Sequence, residues 1–112
     1  MTEATGAQKT YIRILTDQAR NDVQQEWAQG YYRNAQRRAL KAKYGDEGYW
    51  DLTHEIKAQE WADTVAKVLN HLDKLNAALD TMDKGEASAL IDALKNGNAV
   101  AMYWEAQGVR MS

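Results

Sequence analysis

Residues 51–80 read DLTHEIKAQEWADTVAKVLNHLDKLNAALD, and this stretch decides the fold. Ala58, Trp61, Val65, Val68, Leu72, Leu75 and Leu79 recur at alternating spacings of three and four. That period sets them along one side of an α-helix, as in the seam of a bundle or coiled coil. Ala62 and Leu69 widen the stripe into a face fit for a globular core. At about 1.5 Å per residue the whole stretch spans roughly 45 Å, more than a compact domain of this size. It therefore pairs with another long helix, is broken near His54 to Gln59, or self-associates through its seam.

Upstream, Thr5-Gly6-Ala7-Gln8 reads as a capping box, in which the Thr hydroxyl and the Gln side chain each satisfy a backbone amide. Ala7, Tyr11, Ile14, Leu15, Ala19, Val23 and Trp27 then predict the inner face of a first helix, with Gly30 as its stop or kink. Residues 31–44 predict a second helix whose apolar side (Tyr32, Ala35, Ala39, Ala42) is thin, and Gly45 to Gly48 is the clearest turn. Downstream, Asp83-Lys84-Gly85-Glu86 caps a short helix carrying Ala87, Leu90, Ile91 and Leu94 and ending at Asn96-Gly97. Residues 99–108 are ambiguous in period and read as a further short helix, because no strand partner exists elsewhere. The expected fold is all-α: four or five helices in one domain over residues 1–112. The long central helix organises it, packed on the first helix through Trp61, Val65, Leu72 and Leu75.

The two capped helices carry a resemblance. Thr5-Gly6-Ala7-Gln8, followed by Tyr11, Leu15 and Ala19, resembles the opening of a family of very small uncharacterised bacterial and phage proteins. Those proteins close with a Lys-x-Glu-Ala-Ser-x-x-Ile-Asp-x-Leu helix, matched here by residues 84–94, KGEASALIDAL. Similar helix pairs form tails on phage recombination and DNA-metabolism proteins. The match covers about a quarter of the chain. In the family the two helices are close in sequence, whereas here Arg20 to Thr81 lie between them. The resemblance implies a helical hairpin inserted into a two-helix unit, a phage or mobile-element origin, and an association with DNA metabolism by analogy.

Composition narrows the function classes. The 112 residues carry a formal net charge of −2, so attraction to nucleic acid or membrane has to come from a local patch. There is no cysteine, which excludes disulfides, thiolate metal sites and cysteine nucleophiles. No apolar run approaches the ~20 residues that span a bilayer. The first residues lack the pattern of a signal peptide. A cytoplasmic protein is expected. Proline and phenylalanine are absent, while 4 Trp and 6 Tyr give every aromatic a polar handle, suited equally to a core or to a wet interface.

Catalytic and metal chemistry find little footing. His54 and His71 are seventeen residues apart, and at about 100° per residue they fall on different helix faces. Asp51-x-x-His54 lacks the second such step and the further carboxylates of a di-iron bundle. Gly45 to Gly48 lacks the Lys-Ser/Thr of a phosphate loop. Ser88 and Ser112 are the only serines, and Ser88 sits in a predicted helix with no nucleophile elbow. No enzyme activity, metal or cofactor is expected.

The feature that points to a partner is basic. Arg33, Arg37 and Lys41 are spaced by four on one stripe of the second helix, flanked by Arg38, Lys43 and Tyr44 and opened by Tyr31 and Tyr32. No acid interrupts Arg33 to Lys43. Such a stripe suits phosphates, with tyrosines to stack on bases. It equally suits an acidic protein surface, where Arg and Tyr are typical anchors. It is also what a solvated face balanced by the acids from Asp46 to Glu60 looks like. The leading expectation is a small non-enzymatic, phage-type module that binds and modulates a host or phage protein through Tyr31, Arg33, Arg37, Arg38, Lys41, Lys43 and Tyr44. The alternatives are a DNA-associated accessory protein using the same stripe, and a structural homodimer joined along Trp61 to Leu79.

Overall fold

The computed structural model describes residues 2–96 and 99–109. The expected stop at Gly97 and the serine at position 112 lie outside the described residues. Among the described residues the chain forms α1 (Gly6–Val23), α2 (Ala28–Tyr31), α3 (Arg33–Trp50), α4 (His54–Ala77), a 3-10 turn (Leu79–Thr81), α5 (Lys84–Lys95) and α6 (Ala99–Ala106). The fold is all-α. None of these helices is long and apolar enough to cross a membrane.

The central helix is unbroken. Thr53 caps it, its hydroxyl accepting from the Ile56 amide, so the helix starts at His54 rather than Asp51. Such a rod cannot be enclosed by a chain this short, and the molecule is accordingly elongated, 50 × 25 × 20 Å. The other helices line up along it in two apolar clusters. The larger gathers Val23, Ala28, Tyr32, Ala35, Val68, Leu72, Val100 and Tyr103. The smaller gathers Ala4, Ile12, Leu79, Met82 and Ala87. Val68, Leu72 and Leu79 of the predicted seam are thus buried within the chain itself. Trp61 packs against the larger cluster and stacks on Tyr32, with ring centroids 6.4 Å apart. Ala58 is exposed, and Thr64 takes a buried place on the inner face, its hydroxyl donating to the Glu60 carbonyl.

α1 runs antiparallel to α4. Lys9 pairs with Asp80, the Thr16 hydroxyl lies 3.1 Å from Asn76 Oδ1, and Arg20 pairs with Asp73. This register turns α1 away from the predicted face. Ile12, Thr16 and Val23 point inward, while Ile14 is 51% exposed and Tyr11 and Trp27 also face solvent. Ile12 and Ile14 are two positions apart, so a helix can bury only one of them, and Ile12 is the one that packs against Leu79, Met82 and Ala87. The helix also ends at Val23, before Gly30, which lies within α2.

The segment before α1 pairs with the segment before α5. Ala4 donates to the Met82 carbonyl (2.9 Å) and the Lys84 amide donates to the Thr2 carbonyl (3.0 Å), forming an isolated antiparallel bridge between Glu3 and Asp83. The Thr5–Gln8 capping box forms with both bonds at 3.0 Å. Gln8 Nε2 also donates to Ser88 Oγ at 3.1 Å, tying α1 to α5. Asp83 caps α5 by accepting from the Glu86 amide at 2.7 Å. Residues 99–106 form the expected helix, with Tyr103 buried and its ring edge-on to His71 at 5.9 Å.

Two outcomes follow from this packing. Ile12→Ala is expected to lower unfolding free energy by about 2–5 kcal/mol through transfer and cavity terms, whereas Ile14→Ala stays within about 0.5 kcal/mol. Equal losses in urea denaturation show the α1 register to be wrong. Separately, burial and then Lys74 push the His71 imidazole below its ordinary 6.5. The unfolded chain then takes up that proton first as pH falls. The resulting stability is complete above about pH 6.5 and is lost as pH falls through the folded value. The thermal midpoint is expected to drop from about pH 7.5 to about pH 5.5, less steeply in His71→Gln; an unchanged slope in that variant removes His71 from the account.

Candidate functional site

The core dictates which side chains of α3 reach solvent. Tyr32 is anchored in the larger cluster. Helical periodicity then carries Ala35, Gln36, Ala39 and Leu40 inward and leaves Arg33, Arg37 and Arg38 exposed. Ala42, expected on the inner side, is exposed, and Leu40 takes that role. Gly45 adopts φ +81°, a conformation that L side chains rarely take, and there the helical run is interrupted. The turn expected at Gly45 to Gly48 is this single break, after which residues 46–50 are helical again.

That break redistributes the basic stripe. Tyr49 and Trp50 come back beside Lys41, whose ammonium lies 5.6 Å and 5.5 Å from their ring centroids. Lys57, from the start of α4, lies 4.8 Å from the Tyr49 centroid. Lys43 is ion-paired with Glu60 at 2.8 Å, and the Tyr44 hydroxyl donates to the same carboxylate oxygen at 2.6 Å. Those two hydrogen bonds, from Lys43 and then Tyr44, hold the Glu60 carboxyl below its usual range. They also raise the Lys43 and Tyr44 values. The seven predicted residues differ in their surroundings within the chain. Lys43 and Tyr44 link α3 to α4 through Glu60, Lys41 lies over Tyr49 and Trp50, and Arg33 and Arg37 line a groove that Tyr49 also lines, with Arg38 exposed. Tyr31 is 67% exposed and packs edge-on between Trp27 and Tyr32.

Arg33 and Arg37 line an open groove of about 500 Å³ between α2, α3 and the start of α4. Gln29 and Gly30 form one side, Leu40 and Tyr49 supply apolar wall, and His54, Lys57 and Glu26 complete the lining. Arg37 is steadied by a 3.2 Å bond to Asn34 Oδ1. Gln36 also lines this groove, and it is only 7% exposed. Neither its Nε2 nor its Oε1 has a hydrogen-bond partner among the described residues. A buried primary amide left unpaired is costly, which makes it a feature to be explained.

Gln36, Tyr49 and Lys57 were not among the residues the sequence singled out, and Glu60 was named only as one of the acids that could balance the stripe. Gln36 had one available signal: it falls four positions after Tyr32 and four before Leu40, a polar residue at a buried register. Tyr49, Lys57 and Glu60 join the site only through the turn at Gly45. Among the described residues, no group of three or more His, Asp or Glu side chains is placed to hold a metal ion. No protein-family profile matches the chain, and neither a curated protein nor a solved structure matches it.

Gln36→Met replaces the unpaired amide with an apolar side chain of similar length. It is expected to stabilise the fold by about 1–3 kcal/mol, raising the thermal midpoint by several degrees. A midpoint lowered in calorimetry shows that the amide has a stabilising partner in the folded chain.

Proposed function

We propose that the chain is a small non-enzymatic binding module, of phage or mobile-element type and working in the cytoplasm, that docks on a protein and modulates it by occupying a surface. One observation carries this reading. Lys41 and Lys43 are engaged within the chain, on the Tyr49 and Trp50 rings and on Glu60, while two guanidiniums, Arg33 and Arg37, line a groove. Gln29 and Gly30 of that groove share α2 with the exposed ring of Tyr31, and Trp27, whose ring is also exposed, immediately precedes that helix. Arg, Trp and Tyr are the residue types that dominate interface energetics. Phosphate tracking depends on many cations acting together, whereas this groove sets Arg33, Arg37 and Lys57 beside a Glu26 carboxylate and an apolar wall of Leu40 and Tyr49. The homodimer reading has less support, because Val68, Leu72 and Leu79 are buried in the chain's own core.

The test pairs two measurements. Affinity capture from a bacterial lysate, quantified against an Arg33→Ala/Arg37→Ala/Tyr31→Ala variant of unchanged helicity, is expected to show a protein retained only by the native sequence. Fluorescence anisotropy with labelled single- and double-stranded DNA over a salt series is expected to show no micromolar binding. DNA binding that falls steeply with salt and disappears in the variant overturns the proposal in favour of a DNA-associated protein.

A further inference from the structure

We infer that the groove between α3 and the start of α4 takes an extended acidic peptide segment, with its carboxylates on Arg33 and Arg37 and one of its main-chain amides on the side-chain amide of Gln36. This rests on the reading of the chain as a protein-binding module and assigns the chemistry of what it binds.

Three features of the groove converge on that ligand. The first is Gln36. Its amide offers an N–H donor and a C=O acceptor side by side, the complement of a peptide group, and neither is used within the described fold. The residue lines the groove while being more than nine-tenths buried. The terminal torsion of a glutamine is soft, so the amide turns to the groove without backbone movement. A peptide group arriving there supplies both missing partners at once. Purely cationic donors such as Lys and Arg have no acceptor and cannot do the same.

The second feature is charge. Arg33, Arg37 and Lys57 line the groove against a single carboxylate, Glu26. The ammonium of Lys57 is already placed over the Tyr49 ring, which leaves the two guanidinium forks, one helical turn apart, as the anion sites. A planar fork matches a carboxylate in a bidentate pair. The third feature is the apolar wall of Leu40 and Tyr49, which accepts a neighbouring side chain of the segment. Carboxylate, peptide group and apolar contact together describe a stretch of acidic polypeptide better than a run of phosphates.

The experiment uses the full chain labelled with nitrogen-15 and follows the side-chain NH2 resonances of Gln36. It is titrated with a pool of capped pentapeptides each carrying two acidic residues, with a matched basic pool, and with single-stranded DNA. The acidic pool is expected to shift the Gln36 resonances, and the other two to leave them in place. Arg33→Ala/Arg37→Ala is expected to remove the response. Gln36→Met is expected to weaken acidic-pool binding by about tenfold, the equivalent of one unpaired hydrogen-bonding group. The inference is overturned if the acidic pool leaves Gln36 unmoved, if Gln36→Met binds as tightly as the native sequence, or if DNA alone shifts Gln36. A protein captured through Arg33 and Arg37 while the acidic pool leaves Gln36 unmoved retains the module reading and rejects this groove chemistry. A Gln36 response to the acidic pool without any captured protein does the reverse.

Discussion

Everything in this molecule is arranged around one long helix that is too short of partners to be surrounded. The 24 residues of α4 form an uninterrupted rod, roughly 36 Å at the ordinary helical rise. A chain of 112 residues has too little material to wrap such a rod. It buries the rod in instalments instead. Val68 and Leu72 are covered where α1, α2, α3 and α6 meet, and Leu79 is covered beyond the helix end by Ile12, Met82 and Ala87. The polar links of α1 to α4 and the turn after it, Lys9–Asp80, Thr16–Asn76 and Arg20–Asp73, step down in antiparallel register. They fix rotation more than they add stability, since exposed ion pairs contribute little.

The same rod controls the electrostatics of α3. Glu60 lies on α4 within reach of Lys43 and Tyr44, and Lys57 lies one turn earlier against Tyr49. A stripe that is continuous along the chain is thereby divided. Its C-terminal end becomes a clamp between helices, and its N-terminal end stays available to a partner. The division depends on Gly45, because only the break there returns Tyr49 and Trp50 towards Lys41. Trp50 remains 69% exposed after this contact, whereas Tyr49 is buried.

The two terminal segments are held together by independent means: a backbone bridge at Glu3 and Asp83, a side-chain bond from Gln8 to Ser88, and the apolar cluster around Ile12 and Ala87. Capping residues here do double duty. Gln8 completes the α1 capping box and also reaches α5, and Asp83 caps α5 while its backbone joins the bridge. Helix termini that satisfy their own amides and their neighbours at once explain how α1 and α5 pair across nearly the whole length of the sequence.

What the sequence by itself determined is local. The three-four alternation of Trp61 to Leu79, the Thr5 and Asp83 caps, the helical reading of residues 99–106 and the interruption at Gly45 all depend on neighbours within a turn or two, and periodicity and capping chemistry report on such neighbours. What only the tertiary structure decided is rotation and juxtaposition. Nothing within α1 distinguishes a face through Ile14 and Tyr11 from one through Ile12 and Thr16; the choice belongs to the segments packed on it, where Leu79, Met82 and Ala87 cover Ile12 and Asn76 and Asp73 meet Thr16 and Arg20. The inward turn of Thr64 and the stacking of Trp61 on Tyr32 follow from the same rotation. The groove is also a tertiary product. Gln36 is an ordinary helical residue until Leu40, Tyr49 and Lys57 stand beside it. The physical reason is one of range: caps and periodicity act over a few residues, whereas burial and charge pairing act between segments that only the fold brings into contact.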